Sequence, residues 1–276
     1  MATQGLPPIR KQLLEEILRQ LKIAQDAIAE QLRNATSADA TRRLTRQRAE
    51  IARIMHEFDI ALAQAMDGAA DRVWDAGIEN AVESIGDIGL APRIAQGPLL
   101  AIRTFLTNRI ADISRAAVGK INTALTQQIL GVQSMADTIT QIERILDGAP
   151  RARAMTIGYT EIGRAYSVAQ WETGLKQLQV LPGLMKSWSH SGKLHPRPGH
   201  VLASKQAPIP FLQDFEIVDL RTGEVEKMRF PRDPNASAFN SVNCGCMMLL
   251  HAPSSSDIFS QPLTHVVKPG GSIVPI

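Results

Sequence analysis

Leu13-Leu14-Glu15-Glu16-Ile17-Leu18-Arg19-Gln20-Leu21-Lys22-Ile23-Ala24-Gln25-Asp26-Ala27-Ile28 sets Leu14, Leu21 and Ile28 seven residues apart, with Ile17 and Ala24 between them. Such spacings line side chains along one stripe of an α-helix. The stripe predicts an amphipathic helix from about Pro8 to the break at Asn34-Ala-Thr-Ser37. A second stripe, Leu44, Ile51 and Phe58 with Met55 and Leu62, runs from about Ala38 to Met66, where Gly68 is expected to stop the helix. The short break between them favours an antiparallel helical hairpin. One hairpin alone has little to bury, so it either packs on the rest of the chain or serves as an arm between subunits of an assembly.

Helical spacing continues outward. A shorter helix is expected over Asp71–Ile85, with Val73, Trp74, Ile78, Val82 and Ile85 on one face, then a linker at Gly86-Asp-Ile-Gly-Leu-Ala-Pro92. Leu99, Ile102, Leu106, Ile110, Ile113, Ala117 and Ile121 predict a long helix from Pro98 to about Ile129. Ser134 can cap the first turn of the next helix, which ends before Pro150. Past Pro182-Gly183 the chain turns rich in Pro, Gly and His, and the alternating runs from Phe215 and from Val225 flank Arg-Thr-Gly-Glu as a small β-hairpin. The tail after His251 is Ser- and Gly-rich, expected to be extended along a neighbour or mobile. The fold class expected is mainly α, a long helical hairpin and bundle followed by a small α+β C-terminal domain.

Composition agrees. The chain has 276 residues, 44% hydrophobic, with only 4% aromatic, which favours helix packing over a large β-sandwich. A net charge of +3 does not by itself imply nucleic-acid binding. No run of about 18 apolar residues suggests a membrane span, and the first residues lack the pattern of a signal peptide. A reducing cytoplasm is expected.

Both cysteines lie in Phe230-Pro-Arg-Asp-Pro-Asn-Ala-Ser-Ala-Phe-Asn-Ser-Val-Asn-Cys-Gly-Cys246. Cys244 and Cys246 have two readings. They could give zinc two thiolates, with His195 and His200 as imidazole candidates, or pack as buried structural thiols. The usual gap of two to four residues between zinc thiolates is missing, which favours packing and no cofactor. Glu224-Val-Glu226 is the one pattern suggestive of an ADP-ribosyltransferase, but its accompanying elements are missing, and acids two apart on a strand share a solvated face. No nucleophile elbow, phosphate loop or zinc-protease helix occurs. Between Arg42 and Arg53 five arginines face one acid; Arg42, Arg43, Arg46 and Arg53 can share a helix face suited to DNA phosphate, an acidic protein patch or solvent alone.

Several elements, in order, resemble the phage Mu F-like head morphogenesis proteins. Gly131-Val-Gln-Ser134 enters a short amphipathic helix. Arg151-Ala-Arg-Ala-Met-Thr-Ile-Gly-Tyr-Thr-Glu161 leads into Ala165-Tyr166 and Ala169. Lys186 and Trp188 precede a His- and Gly-containing turn ending at His200, and Pro-Arg-Asp-Pro and Asn-Cys-x-Cys close the series. The resemblance spans about residues 130–248. The chain departs from it at Gly245, where the family has arginine, and in the residues before His200. It implies a minor head protein of a tailed phage or prophage, not an enzyme, assembled in the host cytoplasm into the virion. The partners implied are the portal protein, the scaffold or major capsid protein, and double-stranded DNA during packaging and ejection, with no membrane. Arg151, Thr160, Glu161, Trp188, His200, Asn243, Cys244 and Cys246 would form the structural motif. The segments expected are a hairpin arm at 1–67, a connector at 68–130, the family domain at 131–250 and a tail at 251–276. The competing reading is a capsid-borne ADP-ribosyltransferase or toxin-type enzyme.

Overall fold

The structure is a computed structural model that describes residues 6–34, 40–86, 94–192, 196–253, 265–267 and 273–275. Five helices come first: α1 (Leu6–Arg33), α2 (Ala40–Glu83), α3 (Gly97–Ile129), α4 (Met135–Asp147) and α5 (Ala149–Gln177). Short elements follow: β1 (Met185–Ser189), α6 (Pro198–Ala203), β2 (Ile209–Pro210), β3 (Phe215–Val218), β4 (Val225–Met228), α7 (Ala238–Ser241), β5 (Met247–His251), β6 (His265–Val267) and β7 (Ile273–Pro275). The fold is therefore mainly α with a small α+β region near the C-terminus. Two compact units divide it. A helical unit holds Pro8–Ala69 and Ala101–Tyr159; a mixed unit holds Met1–Pro7, Ala70–Leu100 and Thr160–Ile276.

In the helical unit α1 buries Leu13, Ile17, Leu21, Ala24, Ile28 and Leu32. Leu14 is only half-buried, so the stripe is rotated toward Leu13. A Cβ at Gly158 of α5 would touch Leu13 and Ile17 at 3.4 and 3.5 Å and Met66 of α2 at 3.6 Å. The start of α1 and residue 66 of α2 thus meet at one point, which requires the two helices to run antiparallel. Arg48 donates to Thr126 Oγ1 of α3 at 2.7 Å, Ser114 of α3 bonds Asp59 of α2, and Gln25 donates to the Glu143 carbonyl of α4 at 3.4 Å. Of the two roles open to the hairpin, the packed one is observed: its stripes are covered within the chain.

Gly68 does not stop α2, which runs on to Glu83. A glycine inside a helix costs only about 1 kcal/mol against alanine. Fully buried Met66, Ala69, Ala70, Val73 and Trp74 on either side outweigh that cost. The shorter helix expected over Asp71–Ile85 is the end of α2. α3 buries all seven residues of its expected stripe, from Leu99 to Ile121. α4 begins where Ser134 predicts: its hydroxyl accepts from the Asp137 amide at 3.1 Å, and Asp137 accepts from the Ser134 amide.

In the mixed unit β1 is the centre of an antiparallel sheet in the order β2-β1-β5, with Trp188 opposite Met248 and Lys186 opposite Leu250. The expected hairpin is β3 and β4, Phe215 opposite Met228, turning through Gly223 at φ 77°. Gln170 of α5 joins Asn80 of α2 at 2.6 Å to the Met248 carbonyl of β5 at 2.9 Å. The expected linker after Gly86 lies outside the described residues. In the tail, β6 and β7 pair antiparallel, His265 opposite Pro275, where an extended tail was expected; the remainder lies outside the described residues. Among the described residues no helix is long and apolar enough to cross a membrane.

Candidate functional site

Strand β1 alternates, so Lys186 and Trp188 point the same way and both are buried. Trp188 meets the His200 ring edge-on at 5.1 Å and the Phe215 ring at 5.2 Å. Beside them, Ala203, Ile217, Met228, Cys244 and Cys246 complete an apolar cluster. His200 sits on α6, which lies so close to β3 that a Cβ at Gly199 would collide with the Val218 carbonyl oxygen. Glycine at that position is what lets α6 approach and His200 reach the cysteines.

His200 Nδ1 lies 3.6 Å from Cys244 Sγ and 3.4 Å from Cys246 Sγ. Its other nitrogen, Nε2, is 3.1 Å from Asn240 Oδ1. Asn240 Nδ2 in turn donates to Glu226 at 2.5 Å, which turns the amide oxygen toward the imidazole. The proton therefore belongs on Nε2, and Nδ1 presents its lone pair to the sulfurs. All three side chains are buried, at 2% exposure for His200 and Cys244 and 4% for Cys246.

Arg232 is fully buried in the left-handed region, at φ 66°. A non-glycine residue there is strained and persists only where its surroundings hold it. The restraints are visible: its guanidinium donates to the Cys244 carbonyl at 2.7 Å and to Ser167 Oγ at 2.8 Å, and its carbonyl accepts from Arg164 at 3.1 Å. Burial pulls the guanidinium below its usual range, and Cys244, Cys246 and Tyr166 favour its charged form. The Cys246 hydrogen bond, then His200 and Arg232, hold the Cys244 thiol well below its usual range, while the bond to Cys244 and burial push Cys246 up.

Most residues of the resemblance meet around this core. The Asn243 amide, at φ 55°, donates to Thr160 Oγ1 at 3.0 Å, and Glu161 pairs with Arg164. Arg151 belongs to the helical unit, where it pairs at 3.4 Å with Asp147, one turn earlier, with a half-exposed side chain. His195 lies outside the described residues. Glu226 binds the Ser237 amide and hydroxyl at the start of α7, besides Asn240, so its carboxylate is engaged. On α2, Arg42 and Arg46 are exposed and Arg43 half-buried. Arg53 is exposed too and pairs on the helix surface with Glu50 and Glu57.

Sequence reasoning gave no site role to Arg232, Asn240 or Lys186, although Lys186 and the run holding Arg232 stand among the elements of the resemblance. Lys186 Nζ donates to the Arg229 carbonyl at 2.6 Å and lies among Trp171, Phe211 and Phe215, 4.7 to 5.6 Å from their ring centroids. Burial pushes its ammonium down to about 7. Asp233 anchors the turn beside it, accepting from Arg229 and the Asn235 amide. The Pro-Arg-Asp-Pro run was the signal available for Arg232, but its partners lie as far back as Ser167.

No family model matches the chain, and no solved structure matches it. A protein of Bacillus subtilis (strain 168) named "Uncharacterized protein YqbB" is 28% identical over 180 residues, 62% of this chain and 56% of that protein. The chain thus spans little more than half the length of the relative it matches.

Proposed function

We propose that this chain is a minor head protein of a tailed phage or prophage, acting by binding at the portal vertex during procapsid assembly. The observation that supports the reading is the convergence of Thr160, Glu161, Trp188, His200, Asn243, Cys244 and Cys246, scattered over the chain, into one buried and interlocked region. Residues of an ordered motif that meet in a core behave as a structural signature. The enzyme alternative draws no support from Glu226, whose carboxylate caps α7.

The exposed faces of the helical unit are then the surfaces left for partners. Arg42, Arg43, Arg46 and Arg53 are the residues assigned to DNA or an acidic protein patch, Arg42 and Arg46 being exposed. If they meet phosphate, replacing Arg42 and Arg46 with Gln flattens the dependence of duplex affinity on salt by about two phosphates' worth; equal slopes remove DNA from this face. The reading as a whole is tested by quantifying the chain in procapsids purified from cells that produce it together with the portal and capsid proteins of the same genome. A few copies per particle, lost when portal is omitted, are expected. Particles that form normally without it and never contain it overturn the proposal.

A further inference from the structure

We propose that His200 Nδ1, Cys244 Sγ and Cys246 Sγ bind one zinc ion, a structural centre that fastens α6 to the turn leading into β5. The inference stands apart from the head-protein reading and survives its failure.

Geometry carries it. Zinc bonds of about 2.0–2.1 Å to nitrogen and about 2.3 Å to sulfur, at tetrahedral angles, separate nitrogen from sulfur by about 3.6 Å. The distances here are 3.6 and 3.4 Å, and all three ligand atoms lie within 4.8 Å of one another. The single-residue gap, which counts against zinc in the sequence, is no obstacle, because both sulfurs still come within 4.8 Å of each other and of His200 Nδ1. Among the described residues no further His, Cys, Asp or Glu joins the cluster. The fourth corner falls to a donor outside these three, water being the simplest.

The surroundings fit a metal better than two idle thiols. A ligating imidazole is typically fixed through its second nitrogen by a hydrogen-bonded acceptor. The Asn240 oxygen, oriented by Glu226, does this for His200. The buried Arg232 guanidinium donates to the Cys244 carbonyl at 2.7 Å, which sets a positive charge beside the cysteine pair. Two thiolates and an imidazole suit zinc and exclude calcium and magnesium, which take oxygen. Zinc takes both sulfurs as thiolates, so uptake is favoured as pH rises and weakens at low pH.

The test uses the full chain, purified without a metal-affinity step or chelator, with metal measured by plasma mass spectrometry. One zinc per chain is expected, falling at least tenfold in Cys244→Ser, Cys246→Ser and His200→Ala. Asn240→Ala should retain the ligands and weaken zinc about 10- to 100-fold, with Asn240→Asp restoring most of it. Should the ligand variants fail to fold, the wild-type chain decides: stripped of metal and given cobalt, it should show tetrahedral d–d bands and thiolate charge transfer, and zinc should raise its unfolding temperature. A wild-type chain that neither holds nor takes up either metal, with an unfolding temperature indifferent to zinc and chelator, overturns the proposal. Resident copper or iron in place of zinc overturns it as well.

Discussion

The helical unit and the mixed unit are held in different ways. In the first, apolar stripes on α1, α2 and α3 supply the core, and the ion pairs, such as Arg19 with Glu16 and Arg115 with Asp112, lie at the surface. In the second, Arg232, Lys186, His200, Asn240 and Asp233 are buried, and each is bonded to backbone or to another side chain. Stripes tolerate polar change outside them and punish cavities; a buried polar knot punishes the loss of any one partner.

Mutations can break this contrast. The largest effect is expected from Leu106→Ala in α3, where a fully buried leucine becomes a cavity and stability falls by about 4 kcal/mol in urea titration. Arg232→Met should cost about 3 kcal/mol, because the Cys244 carbonyl and the Ser167 hydroxyl lose their donor in a dry site. An Arg115→Met change on the exposed face of α3 should leave the midpoint unmoved. If Arg115→Met destabilises as much as Arg232→Met, the contrast fails.

Lys186 sharpens the comparison through pH. Burial lowers its pKa from 10.5 to about 7, against the favourable charges of Asp214 and Asp233, while Arg229 pushes the same way as burial. Between about 7 and 10.5 the unfolded chain binds a proton that the folded chain lacks, so stability should rise with pH across that window and level off below it. Lys186→Met should flatten this rise. An unchanged slope would move the titration to another group. The smallest loss of stability expected is from Ser134→Ala, about 1 kcal/mol for one half of the α4 capping box, above only the neutral Arg115→Met.

The same contrast governs how much was legible in the sequence. The α3 stripe, the Ser134 cap and the β3–β4 hairpin were readable because each depends on neighbours a few residues away. α2 was misread at Gly68 because local helix propensity was weighed without the burial of Met66 and Trp74. Strands β1 and β5 were missed, since Lys186 beside Trp188 does not read as an apolar face until Nζ finds the Arg229 carbonyl. The Cys-x-Cys and His200 were visible as residues. Their meeting was not, because it depends on α6 seating against β3 at Gly199, and the tautomer depends on Asn240 and Glu226, brought together by the fold.

The central claim is that the Thr160-to-Cys246 elements build one buried, interlocked polar knot. Hydrogen exchange read by mass spectrometry on the wild-type chain and on Arg232→Met tests it most directly. The account predicts lost protection across α6, β1 and β5, with the peptides of α1 and residues 101–129 of α3 protected as before. Equal loss in both units, or unchanged protection around His200 and Cys244, would contradict it.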